Sequence, residues 1–326
     1  MCRRGRGARR VPPVRCSRVI VALAGGVGAA RLLRGLVRVV APADVTAVVN
    51  TGDDVVLHGL HVSPDLDTVT YTLAEAVNDE TGWGLAGETW TVMDALERFG
   101  VETWFRLGDR DLATHLYRTT RLAAGAPLSS VTAEIARGWG LEVRLLPMTD
   151  DRVETRVTVE GTEIGFQDYF VRRRHSVAVE RIRFAGAEQA RPAPGVVDAL
   201  GTADVVVVCP SNPLLSIAPL LALPGLRDAV EARRSHTVAV SPIVGGVALK
   251  GPADRLLTEL GHETSVVGVA RLYASLAATL VIDEADARLA GAIEDAGMRC
   301  VVAPAVMHDP AAAAALAKTV LDCVTP

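Results

Sequence analysis

The residues of this chain best suited to chemistry lie in one stretch, Asn50 to Thr68 (NTGDDVVLHGLHVSPDLDT). It carries four carboxylates in two clusters, Asp53 with Asp54 and Asp65 with Asp67, separated by an apolar run and two histidines. No helical or strand period accounts for that pattern. Carboxylates gathered just after an apolar strand suit hard divalent cations and polar substrates, because their oxygens offset the hydration such ligands lose. The plainer reading is an acidic surface loop with helix caps. Capping accounts for one aspartate beside Pro64 but not for both clusters.

A strand, a glycine turn and a helix must stand in front of this stretch. Arg18 to Ala24 is a β-branched apolar run too short for a buried helix; Gly25, Gly26, Val27 and Gly28 follow, and Ala29 to Val40 has helical spacing. Glycines there let a ligand approach the backbone, and a helix N-terminus presents free N–H groups to a phosphate. The dinucleotide fingerprint is incomplete: Arg31 occupies the third glycine position, Asn50 stands where a ribose-binding acid would end the second strand, and no GK[ST] follows. Phosphate binding without a nicotinamide cofactor is the expectation, with a merely tight structural turn as the alternative. Pro42 ends the helix and Thr46 to Val49 is the second strand. By the crossover rule the two strands are parallel neighbours, so the glycine turn and the acidic stretch face one crevice. Pro64 then starts a helix that runs through Val77, with Asp65 and Asp67 in its first turn.

Further on, Trp83, Trp90 and Trp104 lie in a glycine-rich region that leads to WFRLGDRD (Trp104 to Asp111). Arg106 there is either part of a surface ion-pair group or a cation that stacks on a flat heterocycle. Helical spacing covers Thr91 to Phe99, Leu112 to Ala123 and Ser130 to Gly138, and Leu141 to Leu146 reads as a strand. Residues 152–184 alternate as antiparallel hairpins do, and Arg172 to Arg174 are a solvated edge or a lid contact to phosphate. Asp204 to Cys209 and Thr237 to Val240 are further buried strands, running into Pro210-Ser211-Asn212-Pro213 and into Ser241 to Gly246 with Lys250-Gly251-Pro252 beyond. So many small polar groups on one edge favour a shared nucleotide-like ligand. Thr264 to Val269 and Leu280 to Ile282 read as strands, and Pro310 to Thr325 as a packing helix. The fold class is therefore α/β: a Rossmann-like, mostly parallel sheet with helices on both faces and a smaller α+β insertion. The expected divisions are a disordered basic arm at 1–17, a core at 18–110 and 196–326, and the insertion over the crevice at 111–195.

Composition narrows the class. The 326 residues are 49% hydrophobic and 22% charged, ample for one large core. A net charge of −4 argues against broad nucleic-acid binding. The six arginines within residues 1–16, followed by an apolar run, superficially match a secretion signal, but glycines interrupt that run. Five scattered cysteines form no CxxC pair and point to a reducing cytoplasm. No apolar run reaches the roughly 18 residues that span a bilayer, so no membrane partner is expected.

Taken in order, AGGVGAAR (Ala24 to Arg31), NTGDD with HGL and PDLDT, WFRLGDRDLATH (Trp104 to His115), LPMTDD, FQDYFV (Phe166 to Val171), PSNP, and SPIVGG with KGP resemble the 2-phospho-L-lactate transferase family. Its actinobacterial branch transfers phosphoenolpyruvate in coenzyme F420 biosynthesis. The resemblance runs from about Val19 to Asp283. It implies a cytoplasmic, homodimeric, Mg²⁺-dependent transferase. Such an enzyme moves a phosphoenolpyruvyl or 2-phospho-L-lactyl group from a guanosine diphosphate ester to the ribityl hydroxyl of the deazaflavin Fo, releasing GMP. By motif position it implies that Asp67 and Arg106 contact the deazaflavin and that Asp54 with Asp65 or Asp67 holds Mg²⁺. It further implies Gly25, Gly26 and Gly28 against phosphates, and Ser211, Asn212, Gly245 and Gly246 around the guanosine diphosphate; Asn50, at the end of the second strand, is expected within the substrate site. Asp65 and Asp67 are the candidate catalytic acids. Asp67 is expected to be an exposed crevice carboxylate whose removal leaves the fold intact. Two features depart from the family's pattern: the arginine arm is extra, and Arg106 stands where some relatives have lysine. The rival readings are a nucleotide-sugar-binding regulator similar to the gluconeogenesis factor, opposed by PDLDT and WFRLGD, and a nicotinamide dehydrogenase, opposed by the missing ribose acid.

Overall fold

The computed structural model describes residues 18–324; the basic arm at 1–17 lies outside them. In chain order, β1 (Ile20–Ala24), α1 (Gly26–Val39), β2 (Val45–Val49), β3 (Val55–Leu57), β4 (Leu60–Val62), α2 (Pro64–Leu73), α3 (Thr91–Glu97), α4 (Asp111–Ala123), α5 (Leu128–Gly138) and β5 (Arg144–Pro147) come first. β6 (Glu154–Val159), β7 (Thr162–Gly165) and β8 (Arg181–Ala185) then form a separate antiparallel sheet. The chain continues through α6 (Val196–Thr202), β9 (Val205–Val208), α7 (Ala218–Leu221), α8 (Leu226–Glu231), β10 (Thr237–Val240), β11 (Ile243–Val244) and β12 (Val247–Ala248). It ends in α9 (Ala253–Glu259), α10 (Val266–Tyr273), β13 (Thr279–Ile282), α11 (Ala290–Asp295), β14 (Arg299–Val302) and α12 (Pro310–Asp322).

Seven strands in the order β14-β13-β10-β9-β1-β2-β5 make one wholly parallel sheet. Both faces are covered, which is why the strands read as unbroken Val, Ile and Leu runs rather than alternating ones. In β1, Val21 and Leu23 enter the core on one face, while Ile20, Ala22 and Ala24 enter the core on the other. The chain starts in the middle of the sheet, winds outward through β2 and β5, then returns to β9 and winds the other way. The switch point therefore falls between β1 and β9, where such sheets open a crevice at their carboxyl ends. The glycine turn after β1 and the Pro210-Ser211 loop after β9 flank it.

Several details differ from the sequence reading. β5 pairs with β2, Val49 opposite Pro147, so the main sheet reaches into the span assigned to the insertion and only the β6–β8 sheet stands apart. Thr264 to Val269 is the cap and first turns of α10, because Ser265 accepts from the N–H groups of Val267 and Gly268 and starts a helix in a β-branched run. α2 stops at Leu73, where Ala76 and Val77 both donate back to the Tyr71 carbonyl. The apolar run between the acidic clusters is itself a hairpin, β3 on β4, closed by His58 and Gly59 at φ of +52° and +80°. Two positive φ values give the tight turn whose twist matches paired strands.

Candidate active site

The β3–β4 hairpin brings the acidic clusters together. Val55 pairs with Val62, which sets Asp54 beside Ser63, and the Ser63 hydroxyl donates to Asp54 Oδ2 at 2.6 Å. Asn50, at the end of β2, links the rest. Its Nδ2 donates to Asp65 Oδ2 at 3.0 Å and to Asp53 Oδ1 at 3.4 Å, and its Oδ1 accepts from the Gly52 N–H at 2.9 Å. Asp65 Oδ1 also accepts the Gly26 N–H, the first of α1, at 2.7 Å. The helix N-terminus thus faces a carboxylate of the chain itself.

Glycine is required at this turn by the protein's own packing. A methyl at Gly25 would lie 2.7 Å from Ser216 Cβ and 2.8 Å from Asp65 Oδ2, and one at Gly28 would lie 2.2 Å from the Pro210 carbonyl oxygen. Ser211 ties the two loops together by donating to the Gly25 carbonyl at 2.7 Å. Asn212 caps the following turn, accepting from the N–H groups of Leu214 and Leu215. Both side chains build the switch point. Gly245 and Gly246 form the turn between β11 and β12, with the Gly245 N–H held by Asp286 at 2.8 Å.

Burial governs the charge state of the cluster. It pushes the Asp53 and Asp54 carboxyls well above the usual carboxylate range, and for Asp53 the neighbouring Asp65 and Asp54 charges add to the effect. Burial lifts Asp65 to about 6 against the opposing hydrogen bonds from Asn50 and Gly26. Asp67 is different. It is 5% exposed, and both its oxygens accept from Arg118 of α4, itself 2% exposed. The expectation of an exposed Asp67 is therefore corrected: its position in the first turn of α2 points it inward at α4. Behind Arg118, His115 Nδ1 lies 3.3 Å from Nη1, Tyr71 donates to Asp111, and His115 Nε2 stands 3.2 Å from Asp111. Asp67, Asp111 and His115 offer ligand atoms within 4.8 Å of one another, as a metal site would, but Arg118 already neutralises Asp67.

Among the described residues no cation pairs directly with Asp53, Asp54 or Asp65, although the Arg118 charge reaches Asp54. Asp54 Oδ1 is buried without a hydrogen-bond partner, and Asn50 joins Asp53 of the loop after β2 to Asp65 in the first turn of α2. An all-oxygen donor set with an unpartnered buried oxygen fits a hard divalent cation such as Mg²⁺. Beside it opens a cavity of about 260 Å³, walled by Asp53 and Asp54 on one side, by Trp104 and Phe166, by Thr155 from β6 and by Asp168 from the helical turn after β7. Gln167 Nε2 donates to the Asp53 carbonyl at 2.9 Å and the Thr155 N–H to the Gly52 carbonyl at 2.6 Å, fixing that sheet against the acidic loop. Thr51 Oγ1, Thr155 Oγ1 and Asp168 Oδ1 are also buried and unpartnered.

Arg106 sits apart from the cavity wall, pairing with Asp94 at 2.6 Å and lying 5.0 Å over the Trp90 ring. The ion-pair reading of this residue holds, with Asp94 as the partner, and its cation–π contact is with Trp90 of the chain itself. The sequence reading missed Arg118, although Asp111, His115 and Arg118 recur at helical spacing on one face of α4 and so line up a charged stripe. It also missed Thr155 on β6 and Asp168 in the helical turn after β7, which reach the cavity through packing between elements.

The profile of the 2-phospho-L-lactate transferase CofD family matches residues 20–321. A phosphoenolpyruvate transferase of Streptomyces griseus is 49% identical, covering 93% of this chain and 97% of its own. Proteins of the same name from Thermobifida fusca and Mycolicibacterium smegmatis are 46% and 40% identical, each over 93% of this chain and 97% and 98% of theirs. Among solved structures, a Bacillus halodurans protein described as a member of the UPF0052 family superposes with a TM-score of 0.60 at 15% identity, covering 93% of this chain and 98% of that one; this likeness concerns the fold alone. Among the described residues no helix is long and apolar enough to cross a membrane. With a profile matched over nearly the whole chain and relatives at up to 49% identity, the protein belongs to the 2-phospho-L-lactate transferase CofD family.

Proposed function

We propose that this protein transfers a phosphoenolpyruvyl group from a guanosine diphosphate ester to the terminal ribityl hydroxyl of Fo, releasing GMP, with the 2-phospho-L-lactyl ester as the alternative donor. The observation that carries the reading is the cavity whose one wall is the carboxylate cluster and whose other walls are Trp104 and Phe166. Aromatic walls suit a flat deazaflavin ring, and the unpartnered acceptors Asp168 Oδ1 and Thr155 Oγ1 suit a chain of hydroxyl donors. The enolpyruvyl donor is preferred because the relatives at 40–49% identity bear that name.

In this reading the acceptor hydroxyl attacks the phosphorus that bears the acid. The new O–P bond forms as the bridging diphosphate bond breaks, GMP leaves, and the hydroxyl proton passes to the carboxylate cluster. Asp54, with its free oxygen, and Asp65 are the residues we assign to Mg²⁺. The ion supplies positive charge to the transferred phosphoryl oxygens. Asp67 is assigned a positioning role, because Arg118 engages both its oxygens. The glycine turn is the proposed phosphate wall, with Gly26 and Gly28 only half-buried.

Mass spectrometry of the product formed from Fo with each guanosine donor tests the reading. A product carrying enolpyruvate supports it, whereas binding of a sugar nucleotide without any binding of Fo would overturn it in favour of a regulatory protein. A second measurement addresses the cavity. Thr155→Val keeps the shape and removes one unpartnered hydroxyl, so thermal stability should hold or rise slightly while KM for Fo rises about tenfold, one hydrogen bond's worth. An unchanged KM would take Thr155 out of the acceptor site.

A further inference from the structure

Among the described residues, two cations beside the first turns of α1 have no acid paired with them. The helix carries Arg31, Arg34 and Arg38. Arg34 pairs with Asp79 at 3.4 Å and Arg38 with Glu75 at 2.8 Å. Arg31, nearest the glycine turn, meets only a carbonyl: its Nη1 donates to Met307 O at 3.3 Å. Lys250 approaches the same face from the segment after β12. Its ammonium donates to the Thr81 carbonyl at 2.8 Å. A methyl built on Gly82 would lie 2.8 Å from Lys250 Nζ and 3.0 Å from Val27 Cγ1, so the ammonium stands next to the first turn of α1. Val27 and Arg31 are four residues apart and share a helix face. Among the described residues, neither Lys250 nor Arg31 has a carboxylate partner.

Such a placement costs free energy unless an anion completes it. Burial and the Arg31 charge together pull the Lys250 ammonium below the usual lysine range, as expected of like charges held close. Backbone carbonyls satisfy hydrogen bonds but leave both charges uncompensated, and phosphate oxygens would satisfy both demands. α1 adds no acid of its own in its first turn.

We propose that Arg31 and Lys250 form a phosphate-binding pair at the mouth of the crevice, which grips the nucleotide donor's phosphoryl groups on the side away from the acceptor cavity. The assignment rests on the donor reading above. On binding, Lys250 exchanges the Thr81 carbonyl for a phosphate oxygen, and Arg31 keeps its reach from α1. The exposed position of Lys250 makes it a residue the fold does not need.

Calorimetric titration of the whole protein with GDP, inorganic pyrophosphate and guanosine tests this. Lys250→Ala and Arg31→Gln should each weaken GDP and pyrophosphate about tenfold, leave guanosine binding unchanged, and reduce the salt dependence of GDP binding. Arg31→Lys should restore part of the loss, and thermal melts should show both single variants folded. Wild-type protein that binds GDP, with both variants binding it equally well, overturns the phosphate pair and leaves the donor reading standing. Pyrophosphate binding that depends on Lys250, without any GDP binding, supports the pair and overturns the nucleotide donor. A wild type that binds neither overturns both.

Discussion

Asp67→Ala is expected to lower the melting temperature by about 5–8 °C, the equivalent of about 3–5 kcal/mol, besides abolishing transfer. Asp67 is buried and gives both oxygens to Arg118, so its removal leaves a guanidinium enclosed without its counter-charge. The remaining hydrogen-bond partners of Arg118 are the His61 carbonyl and the His115 ring, and the Asp54 and Asp111 carboxylates act on it without hydrogen bonding to it. Breaking a buried pair from one side is far costlier than removing both partners, because the desolvation of the survivor is no longer offset. Arg118→Met should cost a similar amount, and the double variant Asp67→Leu with Arg118→Met should recover much of it. Chemical denaturation of the four proteins closes the cycle. A melting temperature for Asp67→Ala within about 1 °C of the wild type would show that the pair carries no structural weight.

The same pair marks where sequence reasoning gives out. β1, the glycine turn, α1 and β2 were legible because each signal is local: a short β-branched run, glycines, then helical spacing. Their parallel pairing followed from the handedness of the crossover, and the crevice from the edge on which the loops lie. Asn50 was legible as a site residue because it ends β2. Its function as the donor that joins Asp53 to Asp65 was not, since that depends on the β3–β4 hairpin folding one acidic cluster back onto the other. The signal for the hairpin was present in His58-Gly59 between Val55-Val56-Leu57 and Leu60-His61-Val62, a two-residue turn that tolerates positive φ. Arg118 lies 51 positions from Asp67, and Thr155 reaches the cavity from another sheet. Contacts of that kind are set by packing between elements, which no periodicity within one element encodes. Thr264 to Val269 shows the opposite failure: a β-branched run looks like a strand, yet one serine cap and the burial of a helix face decide it.

Asp54→Asn is expected to reduce turnover by at least about 10³-fold while making the metal-free protein more stable. Burial pushes the Asp54 carboxyl well above the usual range, with Asp67 and Asp65 adding repulsion and the Ser63 hydroxyl and Arg118 opposing it. An acid whose pKa is raised in the folded state contributes its stability fully below its unfolded pKa, about 4, and loses it as pH rises through the folded value. With Asp65 held at about 6, the cluster therefore destabilises the metal-free fold progressively between pH 4 and neutrality. Asparagine has the same shape and no charge to bury, and the Ser63 hydroxyl can still donate to its carbonyl. The variant's advantage should grow as pH rises across that window, read as a widening difference in melting temperature. Mg²⁺ should stabilise the wild type and do much less for Asp54→Asn, because the ion would lose a buried carboxylate oxygen that the fold leaves unpartnered. Thermal melts of both proteins from pH 4 to 8, with and without Mg²⁺, separate the two effects. An Asp54→Asn protein that turns over normally would remove Asp54 from the site. One that is less stable than the wild type at pH 7 without metal would show that the buried carboxylate is held by contacts and not merely tolerated for function.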